Sequence, residues 1–282
     1  MTALAPGQIG VRRRPLLISS VAFLRVLAGL CLAWPLSALI AQSGVGLRPG
    51  GDRALFESGG YLLLEVVRLR GAELEAVARG LLPLLALGLL LTAACNAALL
   101  VGLNEQGRLA PRELLSRASA RLPRLVVLGG GTALGQLLLI IAGAIAVSAL
   151  PSSLAQPVTT SCAELALWLV VALAASALGG LSDIAKASLV RHDSRLADGL
   201  ARAFKCLRHL PFRATFGWLP YAAAFGALAL LSAELTELVD VSRPGAWRVA
   251  AVFALHQLVV LTSVTARAAW YARALRLVAT DV

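Results

Sequence analysis

The chain has 282 residues, of which 59% are hydrophobic and 15% charged, with a mean hydropathy of +0.80 and a formal net charge of +11. So few charges could not cover the surface of a soluble domain of this length, and four scattered cysteines, Cys31, Cys95, Cys162 and Cys206, exclude a disulfide framework or a zinc site of paired spacing. The solvent is a bilayer, where backbone groups must bond within their own segment, so the sequence predicts an all-α polytopic bundle.

A hydrocarbon core about 30 Å thick takes roughly 20 apolar residues of helix to cross. Six such runs predict six transmembrane helices in a single transmembrane domain spanning residues 1–282. The first covers about 15–42. It follows three arginines, as a secretory signal does, but its apolar part is roughly twice the 7 to 15 residues of a signal core, so it reads as a retained helix. Residues 44–79 predict an outer interfacial segment, with Tyr61 to Leu69 apolar but too short to span. Its five basic residues are matched by Asp52, Glu57, Glu65, Glu73 and Glu75, so it offers no net field to a charged ligand.

The second span covers about 80–103. A loop helix beginning at Pro111 and ending near Leu122 and Pro123 follows it, then a third span at about 124–150. The fourth runs over about 162–181 and continues as helix to about 190. "RHDS" interrupts it, and Asp193 or Ser194 caps an amphipathic helix over about 194–210. There Leu196, Leu200, Ala203, Phe204, Leu207 and Leu210 recur at helical spacing, with Arg195, Asp198, Arg202, Lys205 and Arg208 on the other side. Spans at about 215–235 and 246–270 complete the chain. A helix, a leucine and a proline precede the third and the fifth span alike, the pattern either of a duplicated two-span hairpin or simply of the proline that commonly follows a helix end. Proline predicts kinks at Pro35, Pro83 and Pro220, and Trp218, Tyr221, Trp247, Trp270 and Tyr271 read as interface anchors.

Eighteen Lys and Arg fall on one side of this layout and seven on the other. The positive-inside rule therefore places both termini, and the helices between spans 2 and 3 and between spans 4 and 5, in the cytoplasm. The basic excess orients the chain toward anionic headgroups and needs no nucleic acid to explain it. Arginine outnumbers lysine, with only Lys186 and Lys205, and the Ala, Leu, Gly and Arg bias is that of a GC-rich bacterium, which predicts the bacterial inner membrane.

"GLSD" at Gly180 to Asp183, with His256 in span 6, invites a Ser and His catalytic pair. The topology puts Ser182 at the cytoplasmic end of its span and His256 near mid-membrane, about 15 Å from the outer end at 1.5 Å per residue, beyond hydrogen-bond reach. No catalytic, cofactor-binding or metal site is expected. Polar residues at bilayer depth usually face protein or a cavity, so Arg25, Asn96, Gln136, His256 and Gln257 are candidates for a transport path, or else for interhelical hydrogen bonds. Gly131 with Gly135, Ala175 with Gly179 and Ser176 with Gly180 predict close-packed seams. Asp183, Lys186, Arg191, Asp193, Arg195, Arg202, Lys205 and Arg208 are the candidate contacts to headgroups or to a protein partner. Lys186 and Arg191 meet headgroups in this reading, and Asp183, which a helix C-terminus disfavours, calls for Lys186 or another basic group as its partner.

"DIAKASLVRHDSRLADGLARAFKCLRHLP" resembles a segment shared by a broad group of uncharacterised bacterial six-helix integral membrane proteins, on Asp183, Ala185, Lys186, Val190, Asp193, Leu207 and Pro211. The resemblance covers this segment and the six-span layout and implies no activity. The expected role is a non-enzymatic accessory, scaffolding or assembly component, the alternative being the membrane subunit of a small-molecule or lipid transporter.

Overall fold

A computed structural model describes residues 9–42, 68, 71–105, 107, 109–149, 157–239 and 246–280. Among them the ordered elements are helices: a 3-10 turn Val11–Arg13, then α1 Pro15–Gln42, α2 Gly71–Asn104, α3 Pro111–Ser148, α4 Pro157–His192, α5 Leu196–His209, α6 Pro211–Phe216, α7 Leu219–Val239 and α8 Ala246–Ala279. Six stretches are long and apolar enough to cross a membrane, Pro15–Pro35, Ala86–Asn104, Pro111–Ser148, Cys162–His192, Pro211–Thr236 and Ala250–Ala279. This is the architecture of a multi-pass membrane protein. Of the expected outer interfacial segment, 44–79, residues 44–67, 69 and 70 lie outside the described residues, while 71–79 form the start of α2, continuous with the second span.

The chain divides into two compact units. One comprises Met1–Pro15, Asn96–Ala223 and Ala266–Val282, the other Leu16–Cys95 and Ala224–Thr265. In the first unit α4 is the hub, packing on α3, α5 and α6. The α3–α4 seam closes where side chains are missing. A Cβ at Gly135 would stand 2.8 Å from Leu178, and one at Gly143 2.7 Å from Val171, so the two backbones approach as small residues allow in membrane helices. Gly131 of the expected pair meets nothing within 4 Å and is not part of the seam.

Pro123 does not end a helix. α3 runs unbroken from Pro111 to Ser148, although a proline inside a helix removes one hydrogen bond and costs about 3 kcal/mol. Ala118, Arg121, Leu125 and Leu128 are buried at three- and four-residue spacing on both sides of it, and this single stripe keeps its alignment only if the helix continues; Pro123 itself is exposed. At Pro211, by contrast, Leu210 leaves helical geometry at φ −133° and a new helix starts. The two loops therefore differ, and the hairpin parallel that the sequence allows is not kept at these prolines. Pro35 and Pro83 also lie inside continuous helices, whereas Pro220 is the second residue of α7, after a break at Gly217 and Trp218.

α4 ends at His192, and Asp193 turns the chain with φ +46°, a left-handed conformation that Asp tolerates better than most residues. The N-cap of α5 is Arg195 and not Asp193 or Ser194. An arginine side chain has no acceptor, so the cap is one-sided: the Asp198 carboxylate accepts the Arg195 backbone N–H at 3.3 Å. α5 buries its small residues, Gly199, Ala203 and Cys206, because only they let the helix sit close on α4. A Cβ at Gly199 would meet the Leu189 side chain at 3.0 Å. Burial pushes the Cys206 thiol up, with the Lys205 ammonium beside it pulling back weakly. Thiolate, the reactive form, is therefore scarce there at pH 8.

Gly199→Leu should lift α5 from α4. Overpacking of this kind costs about 1–3 kcal/mol, so Cys206 should alkylate about tenfold faster or more at pH 8 in detergent micelles, read by mass spectrometry of the 206 peptide. An unchanged rate would mean that α5 is not seated on Gly199.

Candidate functional site: a buried carboxylate centre

Ser182 to Ala185 and Ala187 to Val190 are all buried, so the stretch that the sequence marks as unusually polar forms the core of the first unit. Its centre is Asp183. Oδ1 accepts from Lys186 Nζ at 3.1 Å, one turn on along α4, and from Arg267 Nη2 of α8 at 3.3 Å; Oδ2 accepts from Trp270 Nε1 at 3.1 Å. The side chains of Asp183, Lys186 and Arg267 are 7%, 13% and 41% exposed, so the acid and the lysine are both out of water while the arginine keeps one edge in it. The Arg267 guanidinium also stacks over the Tyr271 ring, 5.1 Å from its centroid.

An isolated carboxylate here would cost several kcal/mol in lost hydration, which only close opposite charge and hydrogen bonds can offset. Three donors on two oxygens supply both. The centre thus supplies the basic partner that Asp183 calls for, and of the two contacts the sequence offers Lys186, headgroups or the acid, it takes the acid. That side chain turns inward to the acid and not outward to headgroups, because leaving Asp183 with Arg267 alone would expose a buried charge to a partner half in water.

The reading of Trp270 and Tyr271 is corrected. Both are buried and neither is an interface anchor. α8 continues nine residues beyond the expected end of its span, and Val264, Ala268, Tyr271, Leu275 and Val278 are buried at alternating four- and three-residue spacing. That spacing is legible in the sequence as a packing seam, and Arg267, Trp270 and Tyr271 at i, i+3 and i+4 share one face of it. A span that ends at Trp270 hides this face, because the aromatic pair then reads as the membrane interface.

Around the centre, further polar residues join helix ends. Arg191 Nη1 donates to Asn104 Oδ1 at 3.1 Å. Arg14 Nη2 donates to the Glu105 carbonyl at 2.7 Å, and Arg117 pairs with the buried Glu105 carboxylate at 2.7 Å. Asp193 lies 3.8 Å from Arg121 and 3.7 Å from Arg124, ion-pair contacts too long for hydrogen bonds. Arg124 Nη1 also donates to the Ser194 carbonyl at 3.2 Å, which helps fix the strained turn. Arg195, Lys205 and Arg208 are exposed on α5, and Arg202 is half-buried.

The residues weighed for intramembrane chemistry separate. Gln136 donates to the Ala175 carbonyl at 2.9 Å across the α3–α4 seam, an interhelical bond. Ser182 accepts the Thr132 hydroxyl proton at 2.6 Å, so its oxygen is engaged within the same seam. Asn96 is half-buried in the first unit. In the second unit Arg25 is half-buried, His256 is exposed, and Gln257 is half-buried with its Oε1 enclosed and without a hydrogen-bond partner among the described residues. Among the described residues no three His, Cys, Asp or Glu side chains lie close enough to hold a metal ion.

Asp183→Ala leaves the Lys186 ammonium buried without its partner, and breaking a buried pair in this way costs about 3–5 kcal/mol. The variant should lose most of its stability to heat or denaturant in mild detergent, followed by fluorescence-detected size exclusion after heating. Arg195→Ala, an exposed change, should move the midpoint little.

No family model, no curated protein and no solved structure matches this chain, so the reading of the centre rests on its geometry.

Proposed function

We propose that the protein is a multi-pass bacterial inner-membrane protein with both termini in the cytoplasm, working as a non-enzymatic accessory, scaffolding or assembly component. One observation carries this reading. The charged and polar groups in the C-terminal halves of α4 and α8, at the end of α2 and in the first turns of α3 are engaged with each other: Lys186, Arg267 and Trp270 with Asp183, Arg191 with Asn104, Arg117 with Glu105. A catalytic centre keeps a nucleophile or base poised for substrate, whereas these groups join helix ends. The positive-inside distribution puts this framework on the cytoplasmic side, where anionic headgroups and a protein partner at the loops are its contacts.

The second reading, the membrane subunit of a transporter, draws on a different observation. Gln257 Oε1 in the second unit is enclosed with no hydrogen-bond partner among the described residues, beside His256 in sequence, and a buried acceptor left unpaired is costly unless something polar visits it.

One purification separates the two. The full chain, taken from native membranes in mild detergent with its lipids, should retain a stoichiometric non-ATPase protein, and Gln257→Leu should leave that complex intact. Copurification of an ATPase whose turnover falls on Gln257→Leu would replace the scaffold reading with the transporter one.

A further inference from the structure

α5 has two apolar faces, and the protein uses one. The small residues Gly199, Ala203 and Cys206 are buried, with Gly199 against Leu189 of α4, while the large ones are not. Phe204 is 62% exposed, and Leu200, one turn before it, is exposed as well. Across the Leu210 break, α6 adds Phe212, 79% exposed, and Phe216, also exposed, with ring centroids 6.5 Å apart. Leu200, Phe204, Phe212 and Phe216 thus leave a band of large apolar groups uncovered on two short helices that pack together. Arg195, Lys205, Arg208 and Arg213 are exposed on the same two helices and their cap, against one acid, Asp198.

We infer that this α5–α6 elbow lies in the headgroup layer of the bilayer, with Leu200, Phe204, Phe212 and Phe216 below the phosphates and Lys205, Arg208 and Arg213 at them, and that it selects anionic phospholipid. Two features favour a lipid surface over a soluble partner. Pro211–Thr236 is one stretch apolar enough to cross a membrane, so Phe212 and Phe216 stand at the very end of a span and cannot be far from acyl chains. Cations flanking an aromatic and leucine stripe complement phosphate charge and insert side chains no deeper than the acyl boundary, the physical design of an in-plane helix. The inference deepens the proposed function by naming the lipid contact; it relies on that reading only for which leaflet is met.

The test uses the full chain in nanodiscs, with the four cysteines replaced and a spin label at position 204 or, on the opposite face of α5, at 209. In discs containing phosphatidylglycerol, label 204 should be accessible to oxygen and shielded from a water-soluble nickel chelate, and label 209 the reverse. In parallel, the combined K205Q, R208Q and R213Q variant, with all native cysteines kept, should carry about threefold less phosphatidylglycerol per protein by native mass spectrometry. Nickel access at 204 in these discs overturns insertion, as does shielding that appears only after a cytosolic fraction is added, which would assign the face to a protein. Unchanged phosphatidylglycerol in the charge variant overturns the anionic selectivity. Labelling of 209 by an impermeant maleimide in intact spheroplasts would instead refute the cytoplasmic topology while leaving the insertion result standing.

Discussion

The first unit depends on burying one carboxylate. Asp183 sits on α4 nine residues before the helix ends at His192, beyond the last turn where a helix C-terminus acts on charge, so the cost to be met is desolvation by burial. Lys186 from its own helix and Arg267 and Trp270 from α8 offset it. Because Arg267 and Trp270 come from a helix some 84 residues away in sequence, the acid ties the C-terminal end of the chain to the hub of the unit. Geometry follows from this requirement. Trp270 reaches Oδ2 past Gly217, at the break between α6 and α7, where a Cβ would stand 3.1 Å from its ring and would meet the Arg213 carbonyl still sooner. Gly180 likewise lets Trp218 approach α4.

Polar pairing and small-residue packing divide the work along α4. Toward its start the helix meets α3 through glycine and the Gln136 bond, where apolar surfaces gain nothing from leaving lipid and close backbone contact must supply the attraction. Toward its end its own side chains are buried nearly all round, Ile184, Leu189 and Val190 among them. α5 returns over that end with its small residues buried, which leaves Leu200 and Phe204 for another medium. The same helix is thus a packed element on one face and a surface element on another.

Much of the helical layout was legible because hydropathy and length decide it. Span 1 and the continuation of α4 past Ser182 were read from apolar runs and from the polar break at "RHDS". What was not legible came from tertiary choices. Proline at 123 looked like a stop, and the buried stripe through Leu125 overrode it. Lys186 reads equally as a headgroup contact or as the partner of Asp183, because sequence shows a cation near a span end without showing that the acid one turn earlier is buried. In sequence Arg267 is only one of the eighteen basic residues on one side of the layout. Its partner lies on another helix, and only the requirement that Asp183 find a cation, combined with the spacing of Arg267, Trp270 and Tyr271, could have suggested it.

The central claim is that Asp183 and Arg267 are coupled through a buried contact that fastens α8 to α4. A double-mutant cycle measures it most directly, with Asp183→Ala, Arg267→Ala and the double variant compared by reversible unfolding in mixed micelles. The account predicts a coupling of about 1–3 kcal/mol, the double variant being less damaged than the sum of the singles. Additive effects, within about 0.5 kcal/mol, would contradict it and leave the two residues as independent charges.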